Sequence, residues 1–256
     1  MARAIITGLK DAGISADIIV GEPVENQRES LQNDLKVETT SSNKDAVSGA
    51  DIVVISVKPQ QLDAIQADLK STLSKDQTVT SIMAGVKMHT IGLKLDHKKL
   101  IRVMPNTPTQ IRKGISAWTA SKEVDQPVLD FVRDMLQAIG DEIRFSDEKH
   151  IDIATALSGS GPGYVFVFIE ALTDAGVELG LPVQTARDLA SQTVLGSAAL
   201  QRESGQHPAE LRNMVTSPGG TTAAGLASLE NGGFRWIIAD AVRAAFERGE
   251  DLAGGK

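Results

Sequence analysis

The chain has 256 residues, of which 41% are hydrophobic and 23% are charged, and it carries a net charge of −7 and no cysteine. This size and composition are typical of a globular protein with one large domain or two ordinary ones. The negative charge argues against a general nucleic-acid binder, and the lack of cysteine excludes disulfide bonds, thiolate catalysis and zinc–thiolate sites.

The chain begins with a helix and a strand. Apolar residues at three-to-four spacing predict a helix over residues 2–9, and the run DIIV at residues 17–20 predicts a short buried strand. A helix that leads into a strand is the second half of a βαβ unit. The strand that would open this unit is absent from the pattern.

Strands and helices alternate up to residue 146. Residues 50–57 form an almost continuous apolar run, which is typical of a parallel strand covered on both faces. The other elements predicted here are strands at 78–83, 99–104, 114–119 and 142–145, and helices at 60–73 and 126–139. This alternation predicts an α/β domain over residues 1–146, with a Rossmann-like doubly wound parallel sheet.

Strand patterns end at residue 147, and an all-helical domain is predicted over residues 147–256. Helical periodicity covers residues 149–157, 163–179, 182–203 and 234–248. The segment at 164–179 is apolar around most of its circumference. It lies either at the centre of a helical core or against a second subunit, and the sequence leaves both open.

Three successive strands of the α/β domain end in small or polar residues. The segments that follow them are SVKPQ at 56–60, SIMAGV at 81–86 and VMPNTP at 103–108. Ligands of open α/β sheets bind beyond the carboxyl ends of the strands. Together the three segments predict a ligand-facing edge.

Two glycine-rich segments lie in the helical domain. ALSGSGPGY at 156–164 lacks the G-x-S-x-G spacing of a nucleophile elbow and is interpreted as a breaker between two closely packed helices. VTSPGGTTAAGL at 215–226 places Ser217, Gly219 and Gly220 before a helix that begins near Thr221 and Thr222. Free amides and a positive helix end predict an anion site there, although Ser, Thr and Pro also favour a plain helix cap.

These motifs, in this order and spacing, resemble the pyrroline-5-carboxylate reductase family over residues 1 to about 249. The resemblance implies NADPH- or NADH-dependent reduction of 1-pyrroline-5-carboxylate to L-proline. It also implies an N-terminal Rossmann domain, and a helical domain that interlocks in a homodimer, often assembled further into a decamer.

The resemblance also implies roles for individual residues. The cofactor would contact Ser56, Val57, Lys58, Pro59, Ile82, Met83 and Ala84, with Asn43 near the adenosine and Asn106 and Thr107 near the nicotinamide. The substrate would be held by Ser217, Gly219, Gly220, Thr221 and Thr222. The Thr222 hydroxyl would hydrogen-bond the ring nitrogen and orient C5 toward the dihydronicotinamide.

The resemblance places Met1 and Ala2 after a strand and a glycine-rich turn that this chain does not show. We therefore expect the first strand of the sheet and its phosphate-binding glycines to be absent, and NAD(P)H to bind poorly. A second interpretation is a non-catalytic Rossmann-type binding or assembly protein that has lost its cofactor. A third, a β-hydroxy-acid dehydrogenase, is disfavoured because residues 150–230 contain no lysine to serve as its catalytic base.

The sequence leaves the choice between NADH and NADPH open. Glu22 follows the predicted strand at 17–20 and favours NADH, whereas the nearby Arg28 favours NADPH. The four histidines lack the spacing of metal ligands, so no metal site is predicted. The apolar stretches are too short to span a bilayer and no membrane partner is predicted; with no cysteine, a cytoplasmic protein is expected.

Overall fold

The computed structural model describes residues 1–254, which fall into two compact units. The first comprises Met1–Ser160 and the segment from Ala245 onward, and the second comprises Gly161–Ala244. The first unit therefore extends beyond residue 146, the predicted end of the α/β domain. Over residues 1–254 no helix has the length and apolar character needed to cross a membrane.

The first unit alternates strands and helices, as predicted. Its strands are β1 Ile19–Gly21, β2 Glu38–Thr40, β3 Ile52–Ile55, β4 Thr78–Ser81, β5 Leu100–Met104, β6 Gly114–Ala120 and β7 Gly140–Arg144. Its helices are α1 Ala2–Asp11, α2 Glu25–Leu35, α3 Asn43–Val47, α4 Leu62–Thr72, α5 Met88–Leu95, α6 Gln126–Gln137 and α7 Lys149–Ala154. Single 3₁₀ turns at Pro59–Gln61 and Thr107–Ile111 precede α4 and β6. The periodicity did not predict α2, β2, α3 and α5.

The strands form two sheets. β1 pairs with β2 in parallel, and a second sheet has the order β3-β4-β5-β6-β7. The predicted parallel sheet is confirmed except at one pair of strands, since β6 runs antiparallel to β5. The chain between these strands is a short turn, and a parallel crossover needs about a dozen residues or more.

The two sheets meet at a groove where a central strand would lie. In the doubly wound order 3-2-1-4-5-6, β2 and β1 take the first two places and β3 the fourth. Among the described residues no strand lies between β1 and β3. The groove has a volume of about 670 Å³ and is lined by both strands and by apolar residues of α1 and α6.

Helices cover both faces of the larger sheet. On one face Ile5 and Leu9 of α1 and a row of apolar residues of α6 pack against Ile101 and Val103 of β5. On the other face α3, α4 and α5 pack against Val53 and Ile55 of β3, with Leu100 of β5 beside them. Alternate strand residues thus enter opposite cores, which confirms the prediction from the continuous apolar run at residues 50–57.

The second unit is helical. It contains α8 Gly161–Glu178, α9 Val183–Ser204, α10 Pro208–Met214, α11 Thr221–Asn231 and the first part of α12 Phe234–Ala253. α8 and α9 approach closely at Gly176, where a β-carbon would lie 3.1 Å from the Ala186 β-carbon. Phe166 and Val167 of α8 are 61% and 64% exposed. Within this chain α8 is therefore not the centre of a core, which favours its packing against a second subunit.

Candidate functional site

The carboxyl ends of β3, β4 and β5 lie side by side, because each of these strands is parallel to its neighbour. The segments predicted to face a ligand, residues 56–59, 82–84 and 106–107, follow these three strands directly. The structure therefore brings the predicted segments to one edge of the sheet.

The predicted cofactor contacts differ in how much of each side chain this edge exposes. Exposed side chains belong to Ser56, Lys58, Ala84 and Thr107, and half-buried ones to Val57, Pro59, Ile82 and Asn106. The Met83 side chain is only 2% exposed and belongs to the core. Met83 can therefore present only its backbone to a ligand at this edge.

Asn106 forms a rigid corner at the end of β5. Its side-chain oxygen accepts a hydrogen bond of 2.9 Å from the Ile115 amide, and its carbonyl accepts one of 2.7 Å from the Thr109 hydroxyl. A β-carbon on Gly114 would lie 2.8 Å from the Asn106 side-chain oxygen, so a glycine is needed for this approach. The side chain that is predicted near the nicotinamide is thus held in place by β6.

Asn43, predicted near the adenosine, is the first residue of α3 and lines the groove with Gly21, Ser56 and Val57. Its amide nitrogen donates to the Asp68 carboxylate at 3.2 Å. A β-carbon on Gly21 would lie 3.4 Å from the Asn43 side-chain oxygen. The Asn43 side chain therefore lies beside the carboxyl end of β1, on the opposite side of the groove from β3.

The amino end of α1 reaches the same edge. The Thr109 hydroxyl lies 3.3 Å from Met1 Sδ, which places the start of α1 beside the turn that follows β5. No side chain caps this helix, and its first amides have no partner within it. Free amides and a positive helix end suit a phosphate, so this edge fits a dinucleotide cofactor.

The predicted anion loop lies in the second unit, at the amino end of α11. Gly219 has a φ of +67°, a left-handed conformation that favours glycine, and the Gly220 amide donates to the Ser217 carbonyl at 3.0 Å. A β-carbon on Gly220 would collide with Ser217 Oγ. The loop is therefore a tight turn that needs both glycines.

Thr221 and Thr222 are the first two residues of α11, and no side chain caps this helix. The first intrahelical acceptor is the Gly220 carbonyl, which receives the Ala224 amide at 3.2 Å. The amides of Thr221, Thr222 and Ala223 therefore have no partner within the helix, and the Thr222 side chain is half-buried beside them. This arrangement can bind a small carboxylate.

The ALSGSGPGY segment differs from the predicted helix breaker. The chain stays helical through a π turn at Thr155–Gly159, in which the Ser160 amide donates to the Thr155 carbonyl at 2.8 Å. A β-carbon on Gly159 would lie 2.6 Å from Met104 Cε. The glycine thus lets the turn pack against the end of β5, and α8 begins directly after it.

A buried ion cluster behind the cofactor edge was not predicted. Arg102 of β5 is 1% exposed and donates to the Glu148 carboxylate at 3.0 Å and to the Asp152 carboxylate at 2.6 Å. Glu148 also accepts a hydrogen bond of 2.7 Å from the Met88 amide, just after the segment that follows β4. The signal was available, since an arginine inside the apolar strand KLIRVM requires buried acidic partners.

Metal ligands do not gather in this structure. Across residues 1–254 no three His, Asp or Glu side chains form a group able to hold a metal ion.

Comparison with known proteins gives consistent matches over nearly the whole chain. Residues 148–252 match a family model described as pyrroline-5-carboxylate reductase dimerisation, and residues 1–85 match one described as NADP oxidoreductase coenzyme F420-dependent. The chain is 39% identical over 255 residues to pyrroline-5-carboxylate reductase of Pisum sativum, covering 99% of this chain and 93% of that protein. The Synechocystis enzyme of the same name is 41% identical over 254 residues, covering 98% and 94%.

Solved structures show the same likeness. A pyrroline-5-carboxylate reductase from Coxiella burnetii matches with a TM-score of 0.91 and 36% identity, covering 98% of this chain and 94% of that one. Pyrroline carboxylate reductase from Plasmodium falciparum, crystallised with NADP bound, matches with a TM-score of 0.87 and 32% identity over the same shares.

Proposed function

The chain belongs to the pyrroline-5-carboxylate reductase family, and on that premise we propose that it reduces 1-pyrroline-5-carboxylate to L-proline with NADPH or NADH. The observation that carries the substrate assignment is the uncapped amino end of α11, where the amides of Thr221 and Thr222 have no partner within the helix and lie beside the Thr222 hydroxyl. A carboxylate is one of the anions that such a helix end binds.

We propose that the chain's residues act mainly by positioning the reactants. The amides of Thr221 and Thr222 bind the substrate carboxylate, Ser217 and the two glycines shape the loop, and the Thr222 hydroxyl hydrogen-bonds the ring nitrogen. When bound, the cofactor supplies the hydride that adds to the C=N carbon, while the ring nitrogen gains a proton. Holding the reactants in this orientation removes a large part of the activation barrier of such reactions.

The cofactor is assigned to the edge formed by β3, β4 and β5. The backbone of residues 56–59 and 82–84 borders the dinucleotide, Asn43 lies by the adenosine, and Asn106 and Thr107 lie by the nicotinamide. Support comes from the common edge of these segments and from the start of α1 beside Thr109. Weak binding of NAD(P)H stays a prediction that a fluorescence titration measures.

The family match supports the formation of oligomers. We propose a homodimer formed through the second unit, since Phe166 and Val167 of α8 present apolar side chains at its surface. Assembly of dimers into a decamer and a cytoplasmic location are part of the same proposal.

The reaction is tested by following oxidation of NADH and NADPH in the presence of 1-pyrroline-5-carboxylate and by measuring proline chromatographically. Oxidation that depends on the imine and yields proline in equal amount is expected. If the protein binds a dinucleotide but forms no proline, the non-catalytic interpretation replaces this one.

The role of Thr222 is tested by Thr222→Ala. We expect the turnover number to fall about 100-fold because a hydrogen bond to the reacting imine is lost, while the Kd for NAD(P)H stays unchanged. Thr222→Ser retains the hydroxyl and is the control. An unchanged turnover number in the alanine variant would remove Thr222 from this role.

A further inference from the structure

Two charged side chains stand at the adenosine end of the proposed cofactor site. NADH and NADPH differ by a phosphate on the adenosine ribose, and doubly wound folds distinguish them near the end of the strand that follows the central one. An acidic residue there binds the ribose hydroxyls, whereas an arginine accommodates the phosphate. Here Glu22 follows β1 directly and Arg28 lies on α2.

The Glu22 carboxylate is held at the strand end by its own turn. The Glu22 amide donates to the Thr40 carbonyl of β2 at 2.9 Å, which continues the pairing of β1 with β2. One oxygen of the side chain accepts a hydrogen bond of 2.9 Å from the Val24 amide. Among the described residues no other group is seen to hydrogen-bond this carboxylate, so its second oxygen can accept from a ribose hydroxyl.

The Arg28 guanidinium group donates hydrogen bonds to the backbone of the same turn. Its Nη1 donates to the Glu22 carbonyl at 2.9 Å and to the Pro23 carbonyl at 2.8 Å. Both hydrogens of this nitrogen are thereby used, so a phosphate could reach only the Nη2 and Nε hydrogens of the guanidinium group. Arg28 therefore supports the turn that presents Glu22.

The local charge points in the same direction. From residue 22 to residue 29 the chain carries three acidic residues, Glu22, Glu25 and Glu29, and one basic residue, Arg28, giving a net charge of −2. A phosphate monoester adds about −1.5 to −2 charges at neutral pH. The negative charge of this segment would repel the phosphate of NADPH, and the repulsion is stronger where the charged groups are partly buried.

We propose that Glu22 makes this chain select NADH over NADPH, with Arg28 as a positioning residue that holds the Glu22 turn. The inference rests on the proposed function, since it concerns the cofactor of that reaction. It assigns to the chain a preference that the family as a whole does not determine.

The test measures binding without turnover. Calorimetry with ADP-ribose and 2′-phospho-ADP-ribose isolates the adenosine end, and fluorescence titration repeats the comparison with NADH and NADPH. We expect the unphosphorylated compound of each pair to bind at least about tenfold more tightly. The ratio of the two Kd values should shrink as the salt concentration is raised, because salt screens the repulsion between Glu22 and the phosphate. Because the test compares two Kd values, it can be made even if both compounds bind weakly.

Three variants separate the possible causes. Glu22→Gln keeps the acceptor for the Val24 amide but removes the charge, and should abolish most of the discrimination. Glu25→Gln removes a charge from the next turn and should leave the ratio as it is. Arg28→Gln should weaken ADP-ribose binding at least as much as binding of the phosphorylated compound.

Different failures lead to different conclusions. Equal or tighter binding of 2′-phospho-ADP-ribose, an unchanged ratio in Glu22→Gln, or loss of only the phosphorylated compound in Arg28→Gln overturns the inference, while proline formation with either cofactor leaves the proposed function intact. If neither dinucleotide binds at millimolar concentration, both the inference and the proposed function are wrong.

Discussion

At the scale of single residues, the anion loop depends on Gly219 for its left-handed backbone and on Gly220 for the lack of a side chain. Gly220 ends the loop as the residue before α11, and a β-carbon there would meet Ser217 Oγ. Gly225, one turn into the same helix, has no atom outside its own helix backbone within 4 Å of the place where its β-carbon would stand. Gly220 and Gly225 thus differ in the room available for a side chain, although both lie at or in α11.

We expect Gly220→Ala to raise the KM for the imine substrate about tenfold or more, because the loop must open to relieve the collision with Ser217. Gly225→Ala is the matched control and should leave KM and Tm nearly as they are. Steady-state kinetics and thermal melts of both variants measure this. Equal KM values for the two variants would show that the loop does not hold the substrate.

Asp34 is a second residue whose properties follow from its immediate neighbours. The Ser30 hydroxyl donates to the Asp34 carboxylate at 2.9 Å and Arg3 donates at 2.8 Å, and these bonds lower the pKa of Asp34 below its usual value. A lowered pKa in the folded state stabilises the fold above the unfolded pKa. That contribution is lost as the pH falls through the folded pKa.

Ser30→Ala should raise the pKa of Asp34, because the Ser30 hydrogen bond is the largest cause of the shift. Carboxyl chemical shifts followed through an acid titration measure it. Ser71→Ala, which changes an exposed hydroxyl that bonds only the Asp68 carbonyl, serves as the control. An unaltered Asp34 titration in Ser30→Ala would contradict the assignment.

At the scale of elements, the cluster of Arg102, Glu148 and Asp152 joins β5 to α7. Arg102 is buried and both carboxylates are half-buried, so their desolvation must be offset by mutual attraction and by hydrogen bonds such as that from the Met88 amide. Glu148 touches both β5 and the segment after β4. The cluster therefore links β5 and the start of α5 to the start of α7.

Replacing Arg102 with Met should lower the free energy of unfolding by about 3 kcal/mol, since two half-buried carboxylates lose the arginine that pairs with both. Arg133→Met, which breaks an exposed pair with Asp130, should cost at most about 1 kcal/mol. Denaturant unfolding measures both. The triple change Arg102→Met, Glu148→Gln and Asp152→Asn should recover part of the loss, and a further loss would contradict this account.

At the scale of the whole molecule, the second unit leaves apolar helix faces uncovered within one chain. Phe166 and Val167 of α8, Leu195 of α9 and Trp236 of α12 are each more than half exposed. Single exposed apolar residues are ordinary, but several on neighbouring helices mark a surface that associates. This is the surface on which the proposed homodimer depends.

Phe166→Glu should therefore shift the protein toward monomer, because a buried charge would lack a partner in the dimer. Leu93→Glu, at a 69% exposed position on α5 of the first unit, is the matched control and should leave the oligomer intact. Light scattering after size-exclusion chromatography measures the mass. Equal masses for Phe166→Glu and the unaltered protein would place the interface elsewhere.

Much of the first unit could be predicted from short-range patterns. The apolar run at residues 50–57 determined a strand buried on both faces, and the Gly-Gly-Thr-Thr segment determined a helix start with free amides, since both depend on local composition. α2 and β2 escaped prediction because they are short or polar: the three residues of β2 pair with β1 but provide little apolar pattern.

Only the tertiary structure decided the relations between distant segments. It placed the ends of β3, β4 and β5 at one edge, made β6 antiparallel to β5, and set Glu22 and Arg28 in one turn with different partners. It also paired Arg102 with carboxylates that stand 46 and 50 positions away. Periodicity reports the face that a residue buries, whereas the partner on that face depends on how the whole chain packs.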